Sequence, residues 1–194
     1  MGLVDMMIRK NYIFANSQDR NSGFTLMELL VVIVLLGILI VVGLGSFQSA
    51  TRKSKDSQRK ANLKSVSIAL EAYFNDAGQY PNDDGLGHMV VANCSSTYSY
   101  CPWGSTMKNS TTMYMALLPI DPGTNAYWYK VGTNNTSYQL YARIDNLEDA
   151  SIYVSVGKPQ MWSDVSCGSK KCNYGVSSSN TLPETGRTYA DDPG

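Results

Sequence analysis

Apolar and polar positions divide the N-terminal part of the chain into two stretches. Leu29 to Leu44 contain no charged or strongly polar side chain, and twenty-three uncharged positions separate Glu28 from Arg52. As a helix these positions would extend about 34 Å, enough to cross a hydrocarbon core of about 30 Å. The pattern predicts a membrane-spanning helix with a lone carboxylate, Glu28, at its start. Such a charge is costly in a membrane unless it has a partner.

Beyond this span the apolar positions acquire a 3-4 spacing, which places them on one stripe of a continuing helix. They are Leu63, Val66, Leu70, Tyr73 and Ala77. We expect the helix to end between Asn75 and Gly78, before Pro81. Gly43 and Gly45 interrupt it. Each glycine destabilises a helix interior by about 1 kcal/mol relative to Ala. They mark either a soft point or close helix packing.

The remainder predicts a small head that begins irregularly. Residues 81–104 are rich in Asn, Asp, Gly, Ser and Tyr, which predicts a surface loop. Met113 to Leu118 predict a short helix that ends at Pro119.

Strand patterns follow in the second part of the head. Ala126 to Val131 and Ser137 to Arg143 are aromatic-rich runs around Gly132 to Thr136, which is typical of a β-hairpin. Ser151 to Val156 predict a third strand. The polar tail, Ser163 to Gly194, predicts a cysteine-pinned loop with a flexible end.

Charge is unevenly distributed, although the net charge of the 194-residue chain is zero. Residues 52–64 contain six basic residues and one acidic residue, Asp56, which gives them a net charge of +5. From Ser65 onward the chain contains seven basic and twelve acidic residues, which gives a net charge of −5. A basic cluster can contact nucleic acid phosphates. Nucleic acid is not favoured, because no aromatic residues interleave with the charges. Contact with lipid headgroups, or plain solvation, fits the cluster better.

The segment Gly23-Phe24-Thr25-Leu26-Met27-Glu28, with its apolar continuation, resembles the processing segment of type IV pilins and type II secretion pseudopilins. The resemblance implies that a prepilin peptidase cuts after Gly23 and methylates the amine of Phe24. Glu28 would then attract the amino terminus of a neighbouring subunit during filament assembly. That amine would be the missing partner of the carboxylate. An intramolecular pair is also possible, because Phe24 and Glu28 are four residues apart.

A secretory signal peptide is the competing interpretation, because Gly43-Leu44-Gly45 is a small-x-small tripeptide after an apolar run. Cleavage there would leave Ser46 as the first residue. The long leader and the intruding Glu28 disfavour it.

The orientation of the span is a point of conflict. Lys and Arg are fewer before the span than after it, so the positive-inside rule places the C-terminal side in the cytoplasm. The resemblance implies the opposite orientation, and we follow it.

The head resembles pseudopilin G more loosely. The resemblance rests on Tyr80-Pro81, Leu118 to Pro122, Tyr127 to Tyr129 and Tyr138 to Tyr141. It implies a glycine-rich calcium loop after the hairpin, but residues 145–149 contain no glycine. Asp145, Glu148 and Asp149 are therefore weak calcium candidates, and we predict a solvated turn and no metal.

The four cysteines allow three pairings. In an exported head the simplest pairing closes two short loops, Cys94 with Cys101 and Cys167 with Cys172. Pairing of Cys94 with Cys167 or Cys172 would instead join distant loops, and a cytosolic head would keep four thiols.

Catalytic chemistry finds little support. His88 has no evident nucleophile or metal partner, and we expect neither an enzyme nor a cofactor. The prediction is an α+β pilin fold, in which one long N-terminal helix packs by its C-terminal half on a small antiparallel sheet. Its expected parts are a leader (1–23), a transmembrane and filament-core half-helix (24–51), an amphipathic half-helix (52–78) and a head (79–194).

The predicted role is that of a filament subunit in a type IV pilus or a type II secretion filament. Its expected partners are copies of itself, minor pseudopilins, the prepilin peptidase, membrane lipid and an assembly platform with a separate ATPase. We expect it first in the inner membrane as a single-pass protein with the head outside, then in a periplasmic or extracellular filament. The alternative is a membrane-anchored adhesin or carbohydrate-binding protein that does not polymerise.

Overall fold

The computed structural model describes residues 23–94 and 97–194, without the side chains of residues 42–46. The chain divides into two units, Met1–Leu44 and Gly45–Gly194. Most of the predicted leader, residues 1–22, lies outside the described residues. Helix α1 spans Leu26–Ala77, so the prediction of a long N-terminal helix is confirmed.

In the first unit, the described side chains of α1 are not packed against other parts of the chain. Every side chain from residue 26 to residue 41 is exposed. Within the part of the chain that the structure describes, no helix combines the length and the apolarity needed to cross a membrane. The predicted span therefore stays a prediction, as does the soft point at Gly43 and Gly45.

In the second unit, the predicted apolar stripe of α1 packs against the head. Leu63, Val66 and Leu70 are fully buried, whereas Ala77 is exposed. The helix ends at Ala77. The next residue, Gly78, has a positive φ of 72°, which suits glycine, and its N–H donates to the Phe74 carbonyl at 2.8 Å. The predicted end of the helix is confirmed.

The head is built from short antiparallel strands. In chain order these are β1 (Asn82–Asp83), β2 (Met89–Val90), β3 (Met107–Lys108), β4 (Met113–Met115), β5 (Trp128–Val131), β6 (Tyr138–Ala142), β7 (Val154–Ser155), β8 (Lys158–Trp162), β9 (Ser166–Cys167), β10 (Lys170–Lys171), β11 (Tyr174–Ser177) and β12 (Tyr189–Asp191). Among the described residues, two sheets have three strands, in the orders β11-β6-β5 and β12-β8-β7. Three further strand pairs are β1-β2, β3-β4 and β9-β10. The α+β fold class is confirmed.

Strand β6 is buried on both faces. Tyr138, Leu140 and Ala142 join the core that also contains the stripe of α1. On the opposite face, Tyr141 packs against Trp162 in a second cluster with ring centroids 4.8 Å apart. The stem helix therefore covers one face of the sheet, and the tail covers the other.

The hairpin prediction is confirmed, because β5 and β6 pair antiparallel with Trp128 opposite Tyr141. The helix predicted at Met113 to Leu118 is wrong, because Met113–Met115 form β4 against β3. The strand predicted at Ser151 to Val156 shrinks to the two residues of β7, which pair with β8 rather than with the hairpin.

Two further predictions about the head are wrong. Residues 81–104 are not merely a surface loop, since Met89 and Cys101 are fully buried. The tail is not a flexible end, since it supplies β11 to the hairpin sheet and β12 to the second sheet. Gly175 allows β11 to pack closely on its neighbours, because a Cβ there would lie 2.9 Å from the Pro183 Cβ and 3.0 Å from the Tyr141 ring.

Candidate functional site: the processing segment and the stem

The predicted processing residues lie at the start of α1. Gly23, Phe24 and Thr25 precede the helix without helical structure, and the Phe24 side chain is 88% exposed. Glu28 lies in the first turn of the helix. The segment is thus non-helical and exposed, so it is accessible to a protease.

Thr25 and Glu28 form a capping box at the helix start. The Glu28 carboxylate accepts from the Thr25 backbone N–H at 2.9 Å, and the Glu28 N–H donates to the Thr25 Oγ1 at 3.2 Å. The Thr25 hydroxyl adds a contact of 3.0 Å to the same oxygen, Oε2. The prediction missed Thr25, although Thr-x-x-Glu before an apolar run is the signal for such a cap.

The capping contacts leave half of the carboxylate available. Both Thr25 groups contact Oε2, whereas Oε1 has no hydrogen bond to any described residue. Glu28 can therefore hold its own helix start and accept a second cation.

Arg59 forms the main polar contact between the stem and the head. Its side chain is 1% exposed and holds three carboxylates. Asp121 accepts from Nε at 2.7 Å and from Nη2 at 3.1 Å, while Nη1 donates to Asp56 at 2.8 Å and to Asp145 at 2.6 Å. Although burial acts to lower the pKa of Arg59, its bonds to Asp121 and Asp145 raise it. The guanidinium is therefore a fixed cation.

The turn at residues 145–149 docks on the stem through its acidic side chains and its backbone. Asp56 accepts the N–H of Asp145 at 2.9 Å and that of Asn146 at 2.8 Å. Lys60 contacts Asp149 at 2.6 Å. Although burial acts to raise it, bonds from Lys60 and Ser151 lower the pKa of Asp149 to about 2.

These contacts change the interpretation of the calcium candidates. The prediction of a solvated turn is wrong, because Asp145 and Asp149 bind stem cations, while Glu148 is exposed. Among the described residues, no group of three or more His, Cys, Asp or Glu side chains could hold a metal ion.

The cysteines pair within their own loops, as Cys94–Cys101 and Cys167–Cys172. This is the simplest of the pairings that the sequence left open. His88 contacts Asp84 at 2.6 Å and stacks on Tyr100, so its ring has a structural role in the loop.

Comparison with known proteins matches both parts of the chain. Residues 18–44 match the prokaryotic N-terminal methylation motif. Residues 47–150, more than half of the chain, match the model of type II secretion system protein G. The chain belongs to the type II secretion system protein G family. The matched region of this family ends at residue 150, so β7 to β12 lie beyond it.

The individual relatives include core G proteins of type II secretion systems and a type IV pilin. Core protein G of the type II secretion system of Pseudomonas aeruginosa is 30% identical over 126 residues, covering 63% of this chain and 82% of that protein. The Aeromonas hydrophila core protein G is 32% identical over 111 residues, 56% of this chain and 71% of that protein. The type IV major pilin PilA of Myxococcus xanthus is 38% identical over 61 residues, 31% of this chain and 28% of that protein. No solved structure matches the chain.

Proposed function

We propose that this protein is a pseudopilin, a structural rather than catalytic subunit of a type II secretion filament. The carrying observation is the exposed start of α1, where a non-helical Gly23-Phe24 segment leads into a helix that presents Glu28. A filament of secretion type is favoured over a surface pilus, because the protein G match covers most of the head whereas the pilin match covers 61 residues.

Processing is the first step of the proposed role. The prepilin peptidase cuts after Gly23, where glycine presents the smallest group to the protease, and methylates Phe24. The amine keeps its positive charge after methylation. Thr25 remains in the mature chain, so the capping box with Glu28 persists after the cut.

Assembly is the second step. The free Oε1 of Glu28 accepts the N-methylated amine of a neighbouring copy, while Oε2 stays with Thr25. A charge-assisted bond of this kind is stronger than a neutral one, and more so away from water. The contact requires prior cleavage, because only cleavage creates the amine. Processing and polymerisation are thereby coupled.

The proposed location follows from the apolar half of α1. Residues 24–51 anchor the precursor in the inner membrane as a single span with the head outside, before the subunit enters the filament. The two disulfides of the head support an oxidising compartment. Minor pseudopilins, an assembly platform and its ATPase complete the machine.

Glu28→Ala tests the assembly step, with Glu184→Ala as the matched control because Glu184 is also exposed. We expect Glu28→Ala to abolish filaments in pull-down and electron microscopy while the membrane fraction retains the protein. Glu184→Ala should assemble normally. Normal filaments from Glu28→Ala would contradict the proposal and favour the alternative, a non-polymerising adhesin or carbohydrate-binding protein.

Mass spectrometry of the mature N-terminal peptide tests the processing step. The proposal expects a peptide that begins at N-methylated Phe24. A peptide that begins at Ser46 would instead identify a cleaved secretory signal and remove Glu28 from the mature protein.

A further inference from the structure

A groove between the stem and the tail of the second unit collects basic side chains. Its volume is about 830 Å³. Arg52, Lys53 and Lys55 line it from α1, and Lys170 lines it from β10. Residues 145–148, including the carboxylate of Glu148, supply a further part of the wall, and Gln48, Ser49, Thr51 and Gly194 complete the lining. The groove therefore joins cations that are distant in the sequence.

The four cations of this basic groove are uncompensated. Among the described residues, none of them forms an ion pair, whereas Arg59 and Lys60 of the same helix are both paired with head aspartates. Asp145, which also lines the groove, is bound by Arg59. The net charge of the groove is thus positive, and an anion is the ligand that it favours.

A disulfide constrains the backbone of the hairpin that carries Lys170. Lys170 lies on the hairpin of β9 and β10, which the Cys167–Cys172 disulfide closes. The neighbouring Lys171 contacts the Ser166 hydroxyl at 3.0 Å across the same hairpin. This hairpin lies beyond the family match, which ends at residue 150, so the groove is completed by a segment outside the matched region.

The size and charges of the groove limit the class of anionic ligand that fits it. Its volume exceeds what a single inorganic ion fills. The exposed Glu148 carboxylate adds an acceptor beside the cations, which suits a ligand that carries both a phosphate and hydroxyl donors. The three cations that α1 contributes come directly after the apolar run of that helix. In a membrane-anchored helix, this is the position at which basic residues contact lipid headgroups.

We propose that the basic groove binds the headgroup of an anionic glycerophospholipid, with the phosphodiester on the lysines and arginine and a headgroup hydroxyl on Glu148. The proposal rests on the membrane anchoring of the proposed function. Bound lipid would hold the subunit at the bilayer surface before assembly.

Native mass spectrometry of the detergent-purified full-length chain tests this site. The probes are phosphatidylglycerol, phosphatidylcholine and inorganic phosphate, each added separately. We expect retention of phosphatidylglycerol above phosphatidylcholine, and no displacement of it by millimolar phosphate. Equal retention of both lipids, or displacement by phosphate, would overturn the proposal.

Single substitutions locate the binding. Lys53→Ala and Lys170→Ala should each weaken phosphatidylglycerol binding about fivefold, the usual effect of one basic residue near an anionic surface. Lys108→Ala, an exposed lysine that does not line the groove, is the control. Unchanged binding in Lys170→Ala, or tighter binding of a DNA oligonucleotide than of lipid, would contradict the lipid site.

The lipid site and the filament role can fail separately. Glu28→Ala should abolish filaments but keep phosphatidylglycerol binding, because Glu28 does not line the groove. Filament loss in Glu28→Ala without any lipid selectivity in the parent would leave the filament role standing and remove only the lipid site.

Discussion

The two halves of helix α1 invert the usual relation between apolarity and burial. Residues 26–41 are almost wholly apolar, yet every one is exposed. In residues 47–77, by contrast, Leu63, Val66 and Leu70 are fully buried, together with the charged Arg59. The apolar side chains of the second half are buried against the head of the same chain. The first half is a large exposed apolar surface, which marks a membrane or protein contact.

The largest effect is expected in the second half, from Arg59→Met. Removing this cation leaves Asp56 and Asp121 buried without their partner, and breaking a buried pair on one side costs about 3–5 kcal/mol. Denaturant unfolding of the full chain in detergent measures the loss. Arg52→Met, which removes an exposed cation, should change the free energy of unfolding by less than about 0.5 kcal/mol. Equal effects would show that Arg59 does not anchor the head.

Truncation of one leucine in each half sharpens the same comparison. Leu70→Ala should cost about 2–5 kcal/mol, because its side chain is fully buried. Leu35→Ala should leave unfolding of the second unit nearly unchanged but weaken filament yield, because Leu35 is exposed in the isolated chain. A destabilised head in Leu35→Ala would contradict this division.

A smaller effect is expected at the start of the apolar half. Thr25→Val removes the hydroxyl of the capping box and should cost the first turn about 0.5–2 kcal/mol, while Thr25→Ser keeps the cap. Amide hydrogen exchange at the first turn measures the change. Equal exchange in both variants would show that the cap is not formed.

The smallest effect is a pH dependence at Lys60 and Asp149. Since the pKa of Asp149 is lowered to about 2, its stabilising contribution is present above about pH 4 and is lost as the pH falls towards 2. Thermal melts between pH 2 and pH 7 should show a shallower acid slope in Asp149→Asn than in the parent chain. An identical slope would mean that the ion pair contributes nothing to the acid sensitivity.

Local patterns predicted the elements whose partners are near in sequence. The stripe of α1, its end before Gly78 and the β5–β6 hairpin follow from spacing and turn residues that lie within or beside each element. The capping signal of Thr25 is equally local, because Thr-x-x-Glu precedes the apolar run. The sequence of β4 does not distinguish a strand from a helix, because a short apolar run before a proline is compatible with both.

Long-range partners explain the remaining errors. Arg59 lies in a basic run with Lys55 and Lys60, and nothing in that run shows that Arg59 alone is buried. Its partners Asp121 and Asp145 lie far along the chain. The strand β11 was hidden in a polar tail because its pairing with β6 is not a feature of its own sequence.

The double coverage of β6 sets the order in which the head can form. A chain emerges from the ribosome with its N-terminus first, so the stem and the β5–β6 hairpin exist before β11 is made. Until the tail arrives, β6 has an open edge, and the amide of Gln139 lacks the carbonyls of Leu182 and Thr185 to which it donates. Closing of the head is therefore a late event, which follows synthesis of the tail rather than accompanying that of the stem.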